Sequence, residues 1–172
     1  MESAVEVARE GVAAMVKGEY AAAVTLFLES IKAYPHPTTL RRLGICLLLD
    51  RRPADSVLYL AASVELSNKS RRTRSSLLLA KALLTAGNEA QCTRLLKNGI
   101  EFFPEVISGR IVEAFRDGWK RADLHRLTDE LLTLIPTSHD TVEAKIDPPV
   151  NYSRLLHIYN LRKADSTYDS AT

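Results

Sequence analysis

The sequence predicts an all-α fold built of consecutive helix pairs, on three observations. Apolar residues recur every three or four positions through most of residues 4–135, which is the period of an amphipathic helix. Only seven glycines and seven prolines occur in 172 residues, fewer than the turns of an all-β chain require. The breaks that end successive pairs, at Pro35, Asn68, Pro104 and Pro136, recur at nearly even intervals along the chain.

The first helix pair is predicted from a capping pattern and an interrupted apolar stripe. Ser3 and Glu6 have the spacing of a capping box, so we expect a helix to begin near residue 4. Residues 18–20, with the sequence Gly-Glu-Tyr, break the pattern, and a second helix follows until the prolines at 35–37. The two stretches therefore form a helical hairpin.

Three further pairs follow the same plan. Their helices are predicted over residues 38–49 and 54–66, 75–86 and 90–103, and 106–116 and 122–135. Pro53 suits the first turn of a helix, because the amide hydrogen that proline lacks has no helical partner there. The third turn contains Gly87, and the fourth pair follows the pattern more loosely.

The chain changes character beyond residue 136. An amphipathic stripe at Tyr152, Leu155, Leu156 and Tyr159 predicts one more helix within residues 147–163. This helix needs a surface to cover, so we expect it to cap the last repeat. The domain organisation is therefore a repeat domain over 1–146, a capping helix over 147–163 and a disordered tail over 164–172.

The first three units share a pattern of small residues and one large apolar residue, which ends in a proline in the first and third units and in Asn68 in the second. The matching residues are Gly11, Ala23, Phe27, Ser30 and Pro35 in the first unit, Gly44, Ser56, Leu60 and Ser63 in the second, and Ala80, Cys92, Leu96, Gly99 and Pro104 in the third. In this pattern and in its period of about 34 residues, the chain resembles the tetratricopeptide repeat family. The fourth unit keeps only Pro136 and the helix lengths.

The resemblance implies a right-handed α-solenoid with the first helix of each pair along a concave groove. Small residues let paired helices approach closely, and Phe27, Leu60 and Leu96 are expected to fill the space between them. The residues on the groove face are then expected to be Val12, Arg41, Ile45, Leu48, Arg74 and Lys81.

Charge and cysteine content narrow the class of protein. The chain has 23 basic and 21 acidic residues, too even a balance for a surface wholly devoted to nucleic acid. The excess of positive charge lies in residues 38–74, with eight basic and three acidic groups. Two cysteines give no disulfide framework, and no signal peptide or membrane span is seen. We expect a cytoplasmic or nuclear protein without membrane insertion.

No constellation of catalytic, cofactor-binding or metal-binding residues stands out. The four histidines lie far apart in the sequence, and we interpret them as surface or capping residues. Cys92 stands where the repeat needs a small buried residue, so a core thiol is expected. The glycines lack the spacing of a phosphate-binding loop. The sequence thus predicts a protein that is not an enzyme, with no cofactor and no metal.

The predicted function is that of an adaptor or scaffold, which holds a segment of another protein in the groove. Apolar anchors of the segment would contact Val12, Ile45 and Leu48, and its acidic groups would face Arg41, Arg74 and Lys81. The protein could serve as one subunit of a larger complex.

Two other functions stay open. A helical-repeat protein associated with RNA would use the basic segment 38–74 on phosphates, although few aromatic residues accompany it. A structural subunit would have its groove filled by the C-terminal helix or by a second copy of the chain. A weaker hypothesis makes Ser75, after a basic run, the substrate of a kinase.

Overall fold

The computed structural model describes residues 2–118 and 121–135, and these residues form eight α-helices and no strand. The helices are α1 (Glu2–Val16), α2 (Tyr20–Ala33), α3 (Pro37–Leu49), α4 (Pro53–Leu66), α5 (Lys69–Thr85), α6 (Glu89–Gly99), α7 (Glu105–Arg116) and α8 (Arg121–Thr133). The predicted all-α fold class is confirmed. The closing Pro136, the capping helix 147–163 and the tail 164–172 lie outside the described residues.

The first two helix pairs are held by the same contacts, shifted along the chain by one repeat. A Cβ atom added to Gly11 would come within 2.7 Å of Phe27 Cε1, and one added to Gly44 within 2.6 Å of Leu60 Cδ2. Phe27 and Leu60 are both fully buried. Each glycine therefore lets the second helix of its pair place one large side chain directly on the backbone of the first.

A buried serine ties the far end of each of these pairs. The Ser30 hydroxyl donates to the Ala4 carbonyl at 2.7 Å, and the Ser63 hydroxyl donates to the Pro37 carbonyl at 2.8 Å. Ser63 lies one repeat after Ser30, and Pro37 lies one repeat after Ala4. The acceptors belong to the first turn of α1 and α3, so the same bond fixes the crossing of both pairs. The repeat in the sequence is thus a repeat of contacts.

The turns within the first three pairs share one backbone geometry. One residue in each has a positive φ, namely Gly18 (81°), Arg51 (63°) and Gly87 (88°). Its N–H donates to the carbonyl three residues earlier, and the next N–H donates to the carbonyl five residues earlier at 2.7–2.9 Å. This is the Schellman motif, which ends a helix with a left-handed residue. Arg51 is the member of the set that carries a side chain.

Replacing Arg51 by glycine is expected to raise the free energy of unfolding by about 1 kcal/mol. A side chain in the left-handed region costs roughly 1–2 kcal/mol, and the greater freedom of glycine in the unfolded chain offsets part of that gain. Gly18→Ala is the reciprocal control, because its added Cβ would meet no atom within 4 Å. It should lower the stability measured by urea denaturation. Shifts of the same sign in the two variants would contradict a backbone effect.

Most helix boundaries lie within two residues of the predicted ones, and three differences change the interpretation. Helix α1 begins at Glu2, so Ser3 lies inside the helix and the expected capping box is wrong. Helix α5 begins at Lys69 rather than at 75, and the Arg72 N–H already donates to the Asn68 carbonyl at 3.0 Å. Lysine and arginine have good helix propensity, so the basic run extends the helix instead of forming a turn. Helix α6 ends at Gly99 rather than at residue 103.

Helices α1 to α6 each pack on the next one along the chain, and α1 with α3 and α3 with α5 also touch. The last pair departs from this order. Helix α8 packs on α5, whereas α7 makes only light contact with α6 and with α8. In a regular stack of helix pairs, α7 would lie beside α5. The fourth pair thus presents its second helix to the third pair.

Both cysteines lie in the core. Burial, together with the nearby carboxylates of Asp50 and Glu89 respectively, raises the pKa of Cys46 and of Cys92 to about 12. Neither side chain is exposed. The prediction of a core thiol at Cys92 is confirmed.

The native thiols are expected not to react with a disulfide reagent at mildly alkaline pH, and both should react once the chain is unfolded. In the unfolded chain a thiol loses its proton near 9.0, whereas the folded chain keeps it until about 12. The folded state therefore binds more protons between these values, and the two thiols should make the free energy of unfolding fall as the pH rises through this range. Reaction of either thiol in the native chain would contradict the burial.

Candidate functional site

Three of the expected groove residues occupy equivalent positions in successive units. Val12, Ile45 and Lys81 lie one repeat apart along the chain, and they belong to α1, α3 and α5. Val12 is half-buried, whereas Ile45 and Lys81 are each 0% exposed. The accessibility of this face therefore falls from the first unit to the third.

The remaining expected groove residues are buried on α3 but not on α5. Leu48 is buried and Arg41 is only 6% exposed, while Arg74 on α5 is half-buried. Nearly every residue of α3 is buried, including Arg42. The structure thus does not leave Ile45, Leu48 and Lys81 on an open surface, because α3 is enclosed and α8 lies on α5. Their role in binding a partner stays a prediction.

Helix α8 supplies the acidic partner of Lys81. The Lys81 ammonium lies 3.0 Å from Asp129 Oδ1 and donates to Asp129 Oδ2 at 3.2 Å. It also lies 3.2 Å from His125 Nδ1. Since an ammonium can only donate, this contact requires an unprotonated Nδ1, and the neutral ring then carries its proton on Nε2. We call Lys81, His125 and Asp129 the α5–α8 cluster.

The α5–α8 cluster is largely shielded from solvent. The side chain of Lys81 is 1% exposed and that of Asp129 is 17% exposed. Burial lowers the pKa of Lys81 and raises the pKa of Asp129, and in both groups the attraction between the two charges opposes the shift. A desolvated pair of this kind is costly to break, because the remaining charge is left without its partner.

Apolar packing accompanies the ionic contact. Leu124, Leu127 and Leu131 on α8 are at most 3% exposed. On the other side of α8, Arg110 of α7 donates to Glu130 Oε2 from both Nε and Nη2, at 3.2 and 3.0 Å. That pair is partly open to water, so it contributes less than the buried one. Helix α8 therefore packs on α5, buries its leucines in the common core, and pairs with α7 through a partly exposed ion pair.

The basic segment 38–74 does not form one cationic surface. Arg41 and Arg42 are buried, whereas Arg51 and Arg52 are exposed. Arg52 pairs with Asp55 of the next helix at 3.0 Å. These charges are thus divided between core and surface, so a continuous track for a phosphate backbone is not present among the described side chains of this segment.

Ser75 is not accessible in the folded chain. Its side chain is 0% exposed, and its hydroxyl lies 2.9 Å from the Ser63 hydroxyl between α4 and α5. The prediction that Ser75 stands at a helix start is also wrong, because α5 begins at Lys69. A kinase would have to act on it before folding or after local unfolding.

The first helices of the first three pairs, α1, α3 and α5, are the ones expected to line the groove, and we call them the inner helices. Among them, the most open apolar surface is on α1. Val5 and Val16 are 46% and 66% exposed, and Val12 lies half-buried between them. These positions recur at i, i+7 and i+11, which places them on one side of the helix. We call these three residues the valine stripe. It includes Val12, the apolar residue of the expected groove set that the structure leaves partly accessible.

Two residues of the α5–α8 cluster were not expected from the sequence. His125 was interpreted as a surface or capping histidine, but it is 4% exposed and contacts Lys81. Asp129 carried no signal beyond its position four residues after His125 on a predicted amphipathic helix. His36 does cap α3, because its Nδ1 accepts from the Thr38 N–H at 3.2 Å.

Two searches within the described residues give negative findings. No group of three or more metal-ligating side chains comes together in residues 2–118 and 121–135. In the same ranges, every helix is too short or too polar to cross a membrane. Comparisons of the chain with protein-family models, with curated proteins and with solved structures find no match in any of the three.

Proposed function

We propose that this chain is a non-catalytic adaptor, a short right-handed solenoid of tetratricopeptide-like repeats that binds a segment of a partner protein. The observation that carries the proposal is the set of equivalent contacts in the first two units. Gly11 with Phe27 corresponds to Gly44 with Leu60, and the buried serine bonds repeat at the same interval. Such repeats build an extended, rigid surface from one supersecondary unit, and surfaces of this kind bind other chains.

The valine stripe supports an apolar contact with the partner. It offers two strongly exposed valines and a half-buried one on one side of α1. A helix of the partner with apolar residues three and four positions apart matches this spacing. The partly buried Arg74 then supplies a cation further along the inner helices, which favours a partner segment with acidic groups.

The test is affinity capture from native lysate with the wild type and with a Val5→Asp, Val16→Asp double variant. A Leu58→Asp, Val112→Asp double variant is the matched control, because these side chains are also 66% and 46% exposed but lie on α4 and α7. The proposal expects the same partner proteins with the wild type and the control, and their loss with the α1 variant. Equal capture by all three chains would refute it.

Nuclease treatment of each sample addresses the RNA alternative. The adaptor proposal expects capture that is unchanged by nuclease. Loss of every captured protein after nuclease would favour the basic segment as an RNA-binding surface instead.

The second candidate function is a structural subunit with an internally filled groove. The specific observation in its favour is that Asp129 of the same chain occupies the position expected for a partner's acid at Lys81. In that case binding would involve outer surfaces, and the Leu58→Asp, Val112→Asp variant would lose its partners while the α1 variant kept them.

A further inference from the structure

Helix α8 has the chemistry that the sequence predicts for a ligand of the inner helices. It is amphipathic, and it buries His125 and Leu132 on the same side of the helix as Asp129, whose carboxylate meets Lys81. A partner segment with apolar anchors and acidic groups was expected at this place. The chain itself supplies such a segment.

We propose that the face of α5 around Lys81 is a docking site for an acidic amphipathic helix, which α8 fills in cis and a partner helix of the same pattern fills in its place. The pattern is a carboxylate with a histidine four residues before it and a leucine three residues after it, which share one side of the helix as His125, Asp129 and Leu132 do. This inference rests on the proposed function, because it names the class of partner that the adaptor accepts.

The ion pair between Lys81 and Asp129 selects one position of the bound helix along α5. A shift of α8 by one turn moves its side chains by about 5.4 Å, which would carry Asp129 out of reach of the Lys81 ammonium. The ammonium would then be buried without a carboxylate. A buried ion pair adds little net stability compared with apolar packing, and its best-attested use is to fix one register. The pattern required of a competing helix is therefore narrow.

The connections of α8 allow it to leave as a unit. It follows α7, which packs lightly on its neighbours, and the turn between them includes Gly118 with a φ of 76°. The contact of α8 with α7 through Arg110 and Glu130 is partly solvated, with side chains 37% and 43% exposed. Release of α8 from α5 would leave α1 to α4 and their repeated contacts unchanged.

The experiment uses the full chain with Asp129→Lys, in which two like charges meet and keep α8 off α5. The probe is a synthetic, fluorescently labelled peptide of residues 121–135, and binding is followed by anisotropy. A second peptide carries the Asp129→Lys change as the control. We expect the unchanged peptide to bind the variant chain at least about tenfold more tightly than the control peptide, which corresponds to about 1.4 kcal/mol. The wild-type chain should bind the unchanged peptide at least about tenfold more weakly than the variant does, because its own α8 is present at a high effective concentration.

Equal binding of the two peptides to the variant chain would overturn the proposal, and so would equal binding of the unchanged peptide to both chains. Amide exchange of α1 to α4 verifies that the variant is folded. If the variant does not fold, amide exchange of the wild type tests whether α8 opens independently of the other helices. In that case α8 is expected to exchange at least about tenfold faster than α3. Equal protection of α8 and α3 would show that α8 does not open alone, and would overturn the proposal.

The result is separable from that of the capture experiment. If the peptides bind selectively but no partner is captured, the proposal of a docking site on α5 is supported and the adaptor function is refuted. Partners lost on changing the valine stripe, with no selectivity between the peptides, would keep the adaptor function and remove the α5 site.

Discussion

Asp129→Asn is expected to lower the free energy of unfolding by about 3 kcal/mol, as measured by urea denaturation at neutral pH. The change leaves the Lys81 ammonium buried without its anion, and breaking one side of a buried pair typically costs about 3–5 kcal/mol. The expected loss lies at the low end of that range. The loss cannot exceed the free energy of docking α8 on α5. Once α8 is undocked, the Lys81 ammonium is exposed to water and no longer needs an anion.

Glu130→Gln is the matched control on the same helix. Its carboxylate also accepts from an arginine of a neighbouring helix, but the pair is partly exposed, with side chains 37% and 43% accessible. Partly solvated pairs contribute about 1 kcal/mol or less. The combined change Lys81→Met, Asp129→Leu should recover most of the stability, since it replaces the buried pair by apolar groups. Equal losses in Asp129→Asn and Glu130→Gln would contradict the burial of the α5–α8 cluster.

Gly44→Ala is expected to lower the free energy of unfolding by about 2 kcal/mol. Alanine has the higher helix propensity, so the change would raise stability by about 1 kcal/mol in an open helix. At this position the new methyl group would come within 2.6 Å of Leu60 Cδ2, and Leu60 is fully buried. Overpacking of this kind typically costs about 1–3 kcal/mol, which outweighs the gain in propensity.

Two further glycine variants test the same packing. Gly109→Ala on α7 is the control, because its added Cβ would meet no atom within 4 Å, and it should raise stability by about 1 kcal/mol. Gly11→Ala should behave like Gly44→Ala, since Phe27 approaches Gly11 as Leu60 approaches Gly44. A stabilising effect at Gly11 or Gly44 would contradict the close approach of the paired helices.

The sequence predicted the parts of the fold that depend on local signals. The glycines at 18 and 87 are local turn signals, and the structure confirms a helix break at each of them. The small residues at 11 and 44 also face the large side chains at 27 and 60, as the repeat pattern implied. In both cases glycine has a specific physical role, as a turn residue or as a point of close helix approach, and its position in the repeat indicates which.

The candidate site was less predictable because it depends on how distant helices pack. Lys81 was expected to face a partner, since its spacing places it on the same face of its helix as Arg74. Periodicity places a residue on a face of its own helix, but it does not tell which helix covers that face. The pairing of Lys81 with Asp129 joins residues far apart in the sequence and requires α8, rather than α7, to lie on α5. No local pattern encodes that choice.

The docking of α8 on α5 is tested most directly by a nuclear Overhauser measurement on the full wild-type chain, with assigned Lys81 and His125 side chains. We predict cross-peaks between the Lys81 ε-methylene protons and the His125 ring, because the Lys81 Nζ and His125 Nδ1 atoms lie 3.2 Å apart. Cross-peaks from Lys81 to the side chains of α7, with none to His125, would show a regular fourth repeat and would contradict the docking of α8 on α5.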